Sequence, residues 1–598
     1  MARKNTESRV GIRDSYMRLN LSELRPLARL VSADAPTGKA GIVPFLAKAM
    51  SREANVRRLY DSLDETNRSA VQMAAHDPDG QLAMERFRAI HSRTPSFGTS
   101  KTPTALALFL PRDWQVPIDL QAILKSFVPP PPAFTIATID ELPETVRLGP
   151  ESSHEEEEVP LRIRATAPVA ERELRAVLRL IEAGRVRVSD KTRRPIGETI
   201  DAVRSVLTSG DFFDPSESRE YRDEPVNDLT IRAAAWPALV QAAGLAATSR
   251  NILELTDAGR KAMGQPPHVV LRTAWRRWLT TTDFDEFHRV DAIKGQRKAG
   301  LTAVSGRRKP VVEALRGCPP GRWVGVDDFF RYMRAMGLRF EICRDDWDLY
   351  ISDPQYGSLG YDDPHTWEQL QGRFILAMLF EPAATLGLID VAYIPPQRAR
   401  DDFSSRWGSD DQSCLSRYDG LKFLRLNPLG AWCLDLAEEY HPEPSASAPH
   451  FRILPNLDVV ALQRPPDPAD VLMLDRVAER TSDSVWKLDR GKILAAVERG
   501  MAPAELEAFL VENGQGPLPQ PVQVLMTDLS AQAGRLRDLG TVRLIECADA
   551  ETAQLLAADR SLAKLCQRAG DRSLVFLVED EAALRARLRK LGYVLPPL

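Results

Sequence analysis

Four consecutive prolines, Pro129 to Pro132, and a run of four glutamates some twenty residues later, Glu155 to Glu158, set the firmest limit on how this chain can fold. Proline removes amide donors and adjacent acids repel one another, so the stretch 129–165 reads as an extended, solvated linker. A second polar, proline-punctuated stretch, His441 to His450, reads as another. The 598 residues then divide into an N-terminal unit 1–128, a middle part and a C-terminal unit 451–598. A chain of this length holds several packed domains at roughly 100–200 residues each.

Between the linkers, helical periodicity dominates. Leu174, Val177, Leu178 and Ile181 recur at i, i+3, i+4, i+7, which predicts a helix from about Ala170 that ends at Gly184. Short β-branched runs such as Val186-Arg187-Val188 and Gly387 to Tyr393 interrupt the helices. One pattern occurs twice: Leu253 to Gly259 and Leu424 to Gly430 both read L-x-L-[T/N]-x-x-G, each after a helix ending in Gly-Leu. Thr256 and Asn427 are natural N-caps, and Pro428 sits where its missing amide costs nothing. Helix, hairpin and closing helix resemble a winged-helix unit, a common docking form for DNA. The expected fold class is multidomain, mainly α with small β-sheets (α+β), with winged-helix-like units at 166–265 and 266–440.

Charge narrows the partners. The chain has 79 basic and 83 acidic residues, a net charge of -4, so a polyanion must be held by local patches. Leu21, Leu24, Leu27 and Leu30 predict one N-terminal helix, and Ile42, Val43 and Leu46 a second, with Thr37-Gly38-Lys39 opening it. This pair resembles a SAP-type helix-turn-helix, which implies that Lys39 and the helix amides meet DNA phosphate. A denser island runs from Leu271 to Arg316 with a surplus of six positive charges. Within it, Lys294, Arg297, Lys298, Arg307, Arg308 and Lys309 are spaced by glycines, as in a flexible phosphate-gripping loop. Trp275 and Trp278, on the preceding helix, are assigned to the core.

Catalytic machinery is not legible. Pro36 to Gly41 lacks the leading glycine and the hydroxyl of a phosphate loop, and no G-x-G-x-x-G after a strand, H-E-x-x-H or CxxC occurs. Asp283 to His288 reads as a solvated helix start with acids at the positive end of the dipole. Asp345-Asp346 and Asp410-Asp411 are acidic pairs whose side chains point apart. Neither a cofactor, a metal nor a small-molecule substrate is expected, and the chain is read as not an enzyme. Six cysteines without CxxC, no long apolar run and a charged first segment point to a reducing, cytoplasmic setting without membrane contact.

In the last unit, an apolar strand Phe451 to Leu462 precedes a helix that stops at Gly500. Pro503 opens a second helix to Gly514, Leu518-Pro519 leads into a third through Leu529, and Gly534-Arg535-Leu536 begins a strand. That order resembles the non-motor domain preceding the ATPase lobes in XPB-type DNA repair helicases, a module also found in bacterial helicase-associated proteins. The resemblance implies a helical surface for DNA or a partner subunit, without unwinding. The resulting expectation is a non-catalytic DNA-binding accessory protein working with a separate helicase or nuclease in repair or genome defence. A protein adaptor without DNA contact and a winged-helix transcription regulator stand as alternatives.

Overall fold

The computed structural model describes residues 10–148, 157–220, 226, 228–409, 412–442, 449–463, 466–533, 535 and 540–596. Asp410-Asp411, part of the acidic run at Glu155 and Glu156, most of the 441–450 linker, and Gly534 and Leu536 lie outside the described residues. The named elements from Ile12 to Lys125 are all helices, and from Thr145 onward helices are interspersed with small sheets, so the fold is mixed α+β. Two compact units divide it: residues 1–450 with 461–486, and residues 451–460 with 487–598.

Within the first unit, an N-terminal helical core runs from Ile12 to Val128. Its second helix, Leu21–Val31, buries Leu24, Leu27 and Ala28, while Leu30 is exposed. Spacing by three at about 100° per residue carries a residue nine positions on half a turn from the first, so the four leucines cannot share one face. Ile42, Val43 and Leu46 of the helix Lys39–Met50 are buried as their spacing predicts.

The proline stretch is extended but anchored. Gln72 donates to the Pro129 and Pro130 carbonyls, Ile139 bridges to Trp323, and Thr145–Leu148 pairs antiparallel with Glu157–Pro160. Arg162–Arg164 then joins the sheet that contains Ile389–Tyr393. The stretch stays largely exposed, and what composition could not show is that single points of it pair with distant strands.

One core extends from Ile136 to Leu434, so the boundary expected at residues 265 and 266 falls inside it. The same order of principal elements is written twice in this core, with the short helix Pro215–Glu220 interposed in the first copy and the strand Tyr350–Ile351 in the second. First come the helix Ala167–Glu182, an extended segment at Val186–Val188, the helices Gly197–Arg204 and Arg232–Ala242, and the strands Ala246–Ser249 and Ile252–Leu255. Second come the helix Val304–Arg316, the strand Trp323–Gly325, the helix Val326–Met336, a long third helix, and the strands Ile389–Tyr393 and Leu421–Leu426. That third helix is built from Glu368–Gly372, Arg373–Met378 and Leu379–Ala383, with its outer pieces π-helical.

Local chemistry repeats too. Gly244 and Gly387 take φ of +73° and +80° just before each hairpin, as glycine readily does. Thr256 Oγ1 accepts from the Gly259 amide at 3.1 Å, and Asn427 Oδ1 from the Gly430 amide at 2.9 Å. Both cap side chains also donate back, to the Gly244 and Gly387 carbonyls at 2.7 and 2.8 Å.

The third helix of each repeat is buried over most of its length, and the two pack against each other through Arg232–Ala242 and Leu379–Ala383. Asp211 starts the first by accepting the amides of Arg232 and Ala233 at 2.9 and 3.1 Å. Arg232 is buried against Glu173, which also accepts from Trp236 Nε1 at 3.1 Å. Arg373 opens the middle piece of the second with paired bonds to Asp402 at 2.9 and 2.6 Å, and it also reaches Asp419. A carboxylate counter-charge on each guanidinium is what permits charge at these depths.

The apolar run Phe451 to Leu462, which begins in the second unit, forms two strands, Phe451–Ile453 and Asp458–Ala461. Pro455-Asn456 breaks it, Leu457 turns at φ +71°, and Leu454 donates to the Asp458 carbonyl at 2.8 Å. The helices Arg490–Glu498, Pro503–Asn513 and Gln520–Ala533 follow the proline and glycine punctuation of the sequence. Beyond them, Val542–Glu546 pairs with Ser573–Leu577, and two helices cover a core of Leu556, Leu574, Phe576, Leu584 and Leu588.

Candidate nucleic-acid interface

The basic island resolves into two structures with opposite roles. Its first half is a loop fastened on both sides. Ile293–Lys294 pairs with Tyr350–Ile351, Gly300 accepts from the Arg344 amide at 2.9 Å, and Thr302 donates to the Ile342 carbonyl at 3.0 Å. Gly295 has φ +80°, and a Cβ there would lie 2.0 Å from the Asp348 carbonyl oxygen, so only glycine fits. Gln296 closes the loop from within by donating to Val290 and Ile293 carbonyls at 2.9 and 2.7 Å. Lys294, Arg297 and Lys298 are exposed, with the Lys294 ammonium resting on the Asp291 carbonyl at 2.6 Å. The loop expected to be flexible is held by backbone bonds.

The second half is a helix, and it corrects the expectation for two residues. Arg307 and Arg308 lie in Val304–Arg316 with relative exposures of 1% and 0%. Arg307 Nη1 donates to Asp285 Oδ1 at 3.0 Å. Arg308 grips both oxygens of Glu286 at 2.7 and 3.0 Å and donates to the Trp278, Thr281 and Phe284 carbonyls. Glu286 also accepts from Trp278 Nε1 at 2.7 Å, and the Arg308 guanidinium lies 5.0 Å from the Trp278 ring centre. A phosphate cannot reach either guanidinium without displacing a buried carboxylate. The acids at Asp285 and Glu286 begin a short 3-10 helix as expected, yet Glu286 is 3% exposed and serves the core. Trp275 and Trp278 are buried, in keeping with their assignment to the core.

Lys309, between these buried neighbours and solvent, is exposed. Lys39 begins the helix Lys39–Met50 and donates to the Leu19 carbonyl at 2.8 Å. Nothing in the geometry brings Lys39 to the 294–309 segment. Sequence reading overlooked four exposed aromatics: Trp347 and Tyr361, 4.8 Å apart between ring centres, and Tyr356 and Trp407, 5.1 Å apart. The sequence signal was a run of aromatics among turn residues from Trp347 to Tyr361. Among the described residues, no group of three or more His, Cys, Asp and Glu side chains is arranged to hold a metal, and no helix is long and apolar enough to cross a membrane.

A second charged cluster lies under the sheet. Arg400 binds Asp402 and Asp327 at 2.8 and 2.6 Å, and Lys422 donates to the Ala399 carbonyl. Burial, and then the neighbouring Arg400 guanidinium, push the Lys422 pKa down to about 8. Unfolded chains regain a proton that the folded chain has released between pH 8 and 10.5, so stability rises with pH across that window. Relative to Lys422→Met, the chain should gain about 2–3 kcal/mol between pH 7.5 and 10. Urea titrations of both proteins at the two pH values check this, and equal pH slopes contradict it.

Residues 453–571 match the family model of the helicase conserved C-terminal domain. No curated protein matches the chain. The match covers the second unit from its first strand to the turn before Ser573–Leu577, and also takes in residues 461–486, which belong to the first unit. The chain therefore carries a C-terminal segment similar to helicase-associated domains.

Proposed function

We propose that the chain is a non-catalytic accessory protein that acts beside a separate helicase or nuclease in DNA repair or genome defence and holds DNA by its phosphates. The match of residues 453–571 to a helicase domain carries this reading, together with the lack of a phosphate loop in the same sequence. The C-terminal segment is read as XPB-type and the N-terminal helices as SAP-like. The two internal repeats are read as tandem winged-helix units in which the helix that would enter a DNA groove has become scaffold. Phosphate contact is assigned to Lys294, Arg297 and Lys298, with Lys309 and Lys39 as outlying contacts.

Binding of single-stranded, duplex and forked DNA should weaken steeply with salt. Replacing Lys294, Arg297 and Lys298 together by Glu should weaken binding roughly tenfold or more and lower the log-log salt slope by about 3 units, near 0.9 for each phosphate no longer neutralised. Filter binding across a salt series measures both. An unchanged slope in a folded triple variant removes this loop from the interface.

The adaptor reading is favoured by one observation: the strongest part of the basic island, Arg307-Arg308, is spent on internal pairing. It predicts co-purification of a partner with no DNA retained at low salt.

A further inference from the structure

A cavity of about 190 Å³ lies in the first unit, among the helices Gly197–Arg204 and Arg232–Ala242 and the segment from Trp278 to Arg289. Four carboxylates line it, and each is already held by an arginine. Asp228 pairs with Arg417, Asp285 with Arg307, Glu286 with Arg308 and Glu381 with Arg289. Arg194 also lines the cavity and is surplus to these pairs: among the described residues its guanidinium has no hydrogen bond or ion pair. Arg289 commits Nε and Nη2 to Glu381, Tyr418 and the Thr230 carbonyl, while its Nη1 has no partner among the described residues. Burial, and next the Arg289 charge, disfavour the charged form of Arg194, with Glu381 offsetting part of this. A half-buried cation that lines the same cavity as a second cation is costly unless an anion offsets them.

The remaining wall is apolar. Ile200, Ala234 and Ala238 face Phe284 and Trp278, whose rings stack at 5.7 Å and 14°. Ligand sites for drug-sized molecules occupy about 300–1,000 Å³, so this one suits a smaller occupant.

We propose that this cavity binds a small organic monoanion, a carboxylate on a compact, flat apolar body, with the carboxylate at Arg194 and Arg289 Nη1 and the body against Phe284. The inference is independent of DNA binding and needs no partner chain.

Benzoate, its uncharged analogue benzamide and inorganic phosphate serve as probes for calorimetry and thermal unfolding of the full chain. Benzoate should bind saturably at one site and raise the Tm, while benzamide should bind at least tenfold more weakly. Arg194→Gln should keep the fold and lose the benzoate effect. Ala238→Leu, which fills the apolar end, should also abolish it. Absence of saturable benzoate binding, equal binding of benzamide, or benzoate binding that survives Arg194→Gln overturns the assignment. Tight phosphate binding without benzoate binding overturns it as well, because the apolar wall would then have no role.

Discussion

Glu286→Ala should remove about 3–5 kcal/mol of folding stability, the loss typical when one member of a buried ion pair is deleted. The carboxylate accepts from Nε and Nη2 of Arg308 and from Trp278 Nε1, at 2.7 to 3.0 Å, where neither charged partner meets solvent. Without it a guanidinium with 0% exposure keeps three carbonyl acceptors but no counter-charge. Replacing both partners, as Glu286→Leu with Arg308→Met, should cost much less, since apolar side chains of similar size remove the desolvation problem. Urea denaturation of the two variants gives the comparison; equal losses would mean that the pair's charge is not what is being measured. A practical consequence follows for DNA binding: reversing Arg307, Arg308 and Lys309 together should unfold the region, whereas Lys309→Glu alone should leave stability within about 0.5 kcal/mol.

Gly430→Ala and Gly259→Ala should each destabilise by about 3 kcal/mol, at the upper end of overpacking costs. A Cβ at Gly430 would lie 1.9 Å from the Leu388 carbonyl oxygen, and one at Gly259 2.0 Å from that of Leu245. Those carbonyls belong to backbone that each cap holds: Thr256 donates its amide to Leu245 at 3.0 Å and Asn427 its amide to Leu388 at 3.3 Å. Neither can retreat without opening a hairpin. Gly306→Ala is the control, for a Cβ there meets nothing within 4 Å, so helix propensity should make that change stabilising by roughly 0.5–1 kcal/mol. Midpoints of urea unfolding at constant slope distinguish the three. Tolerance of alanine at one repeat but not the other would mean that the two turns are not mechanically alike.

Features encoded within a few residues were legible. Caps at Thr256 and Asn427, helix stops at Gly184 and Gly500, and the Pro503 start all depend on neighbours in sequence, and the structure places them where the residue types demand. Features that depend on distant partners were not. Counting charge from Leu271 to Arg316 could not reveal that Arg307-Arg308 answers Asp285-Glu286 across a turn. The matching order of the two doublets was the available clue. The anchors of the proline stretch were hidden for the same reason, because Trp323 and Ile389–Tyr393 supply its partners from far along the chain. Three of the proposed phosphate ligands, Lys294, Arg297 and Lys298, share one exposed loop, and what fastens that loop is Gly295 against Asp348, a tertiary contact.

Packing the same helix of two like repeats face to face is the arrangement by which separate copies of a protein form a two-fold dimer. Here both copies lie on one polypeptide, so their encounter is intramolecular and its effective concentration is set by the connecting chain. Dilution therefore cannot part them: this pairing should persist at any protein concentration at which the molecule is folded.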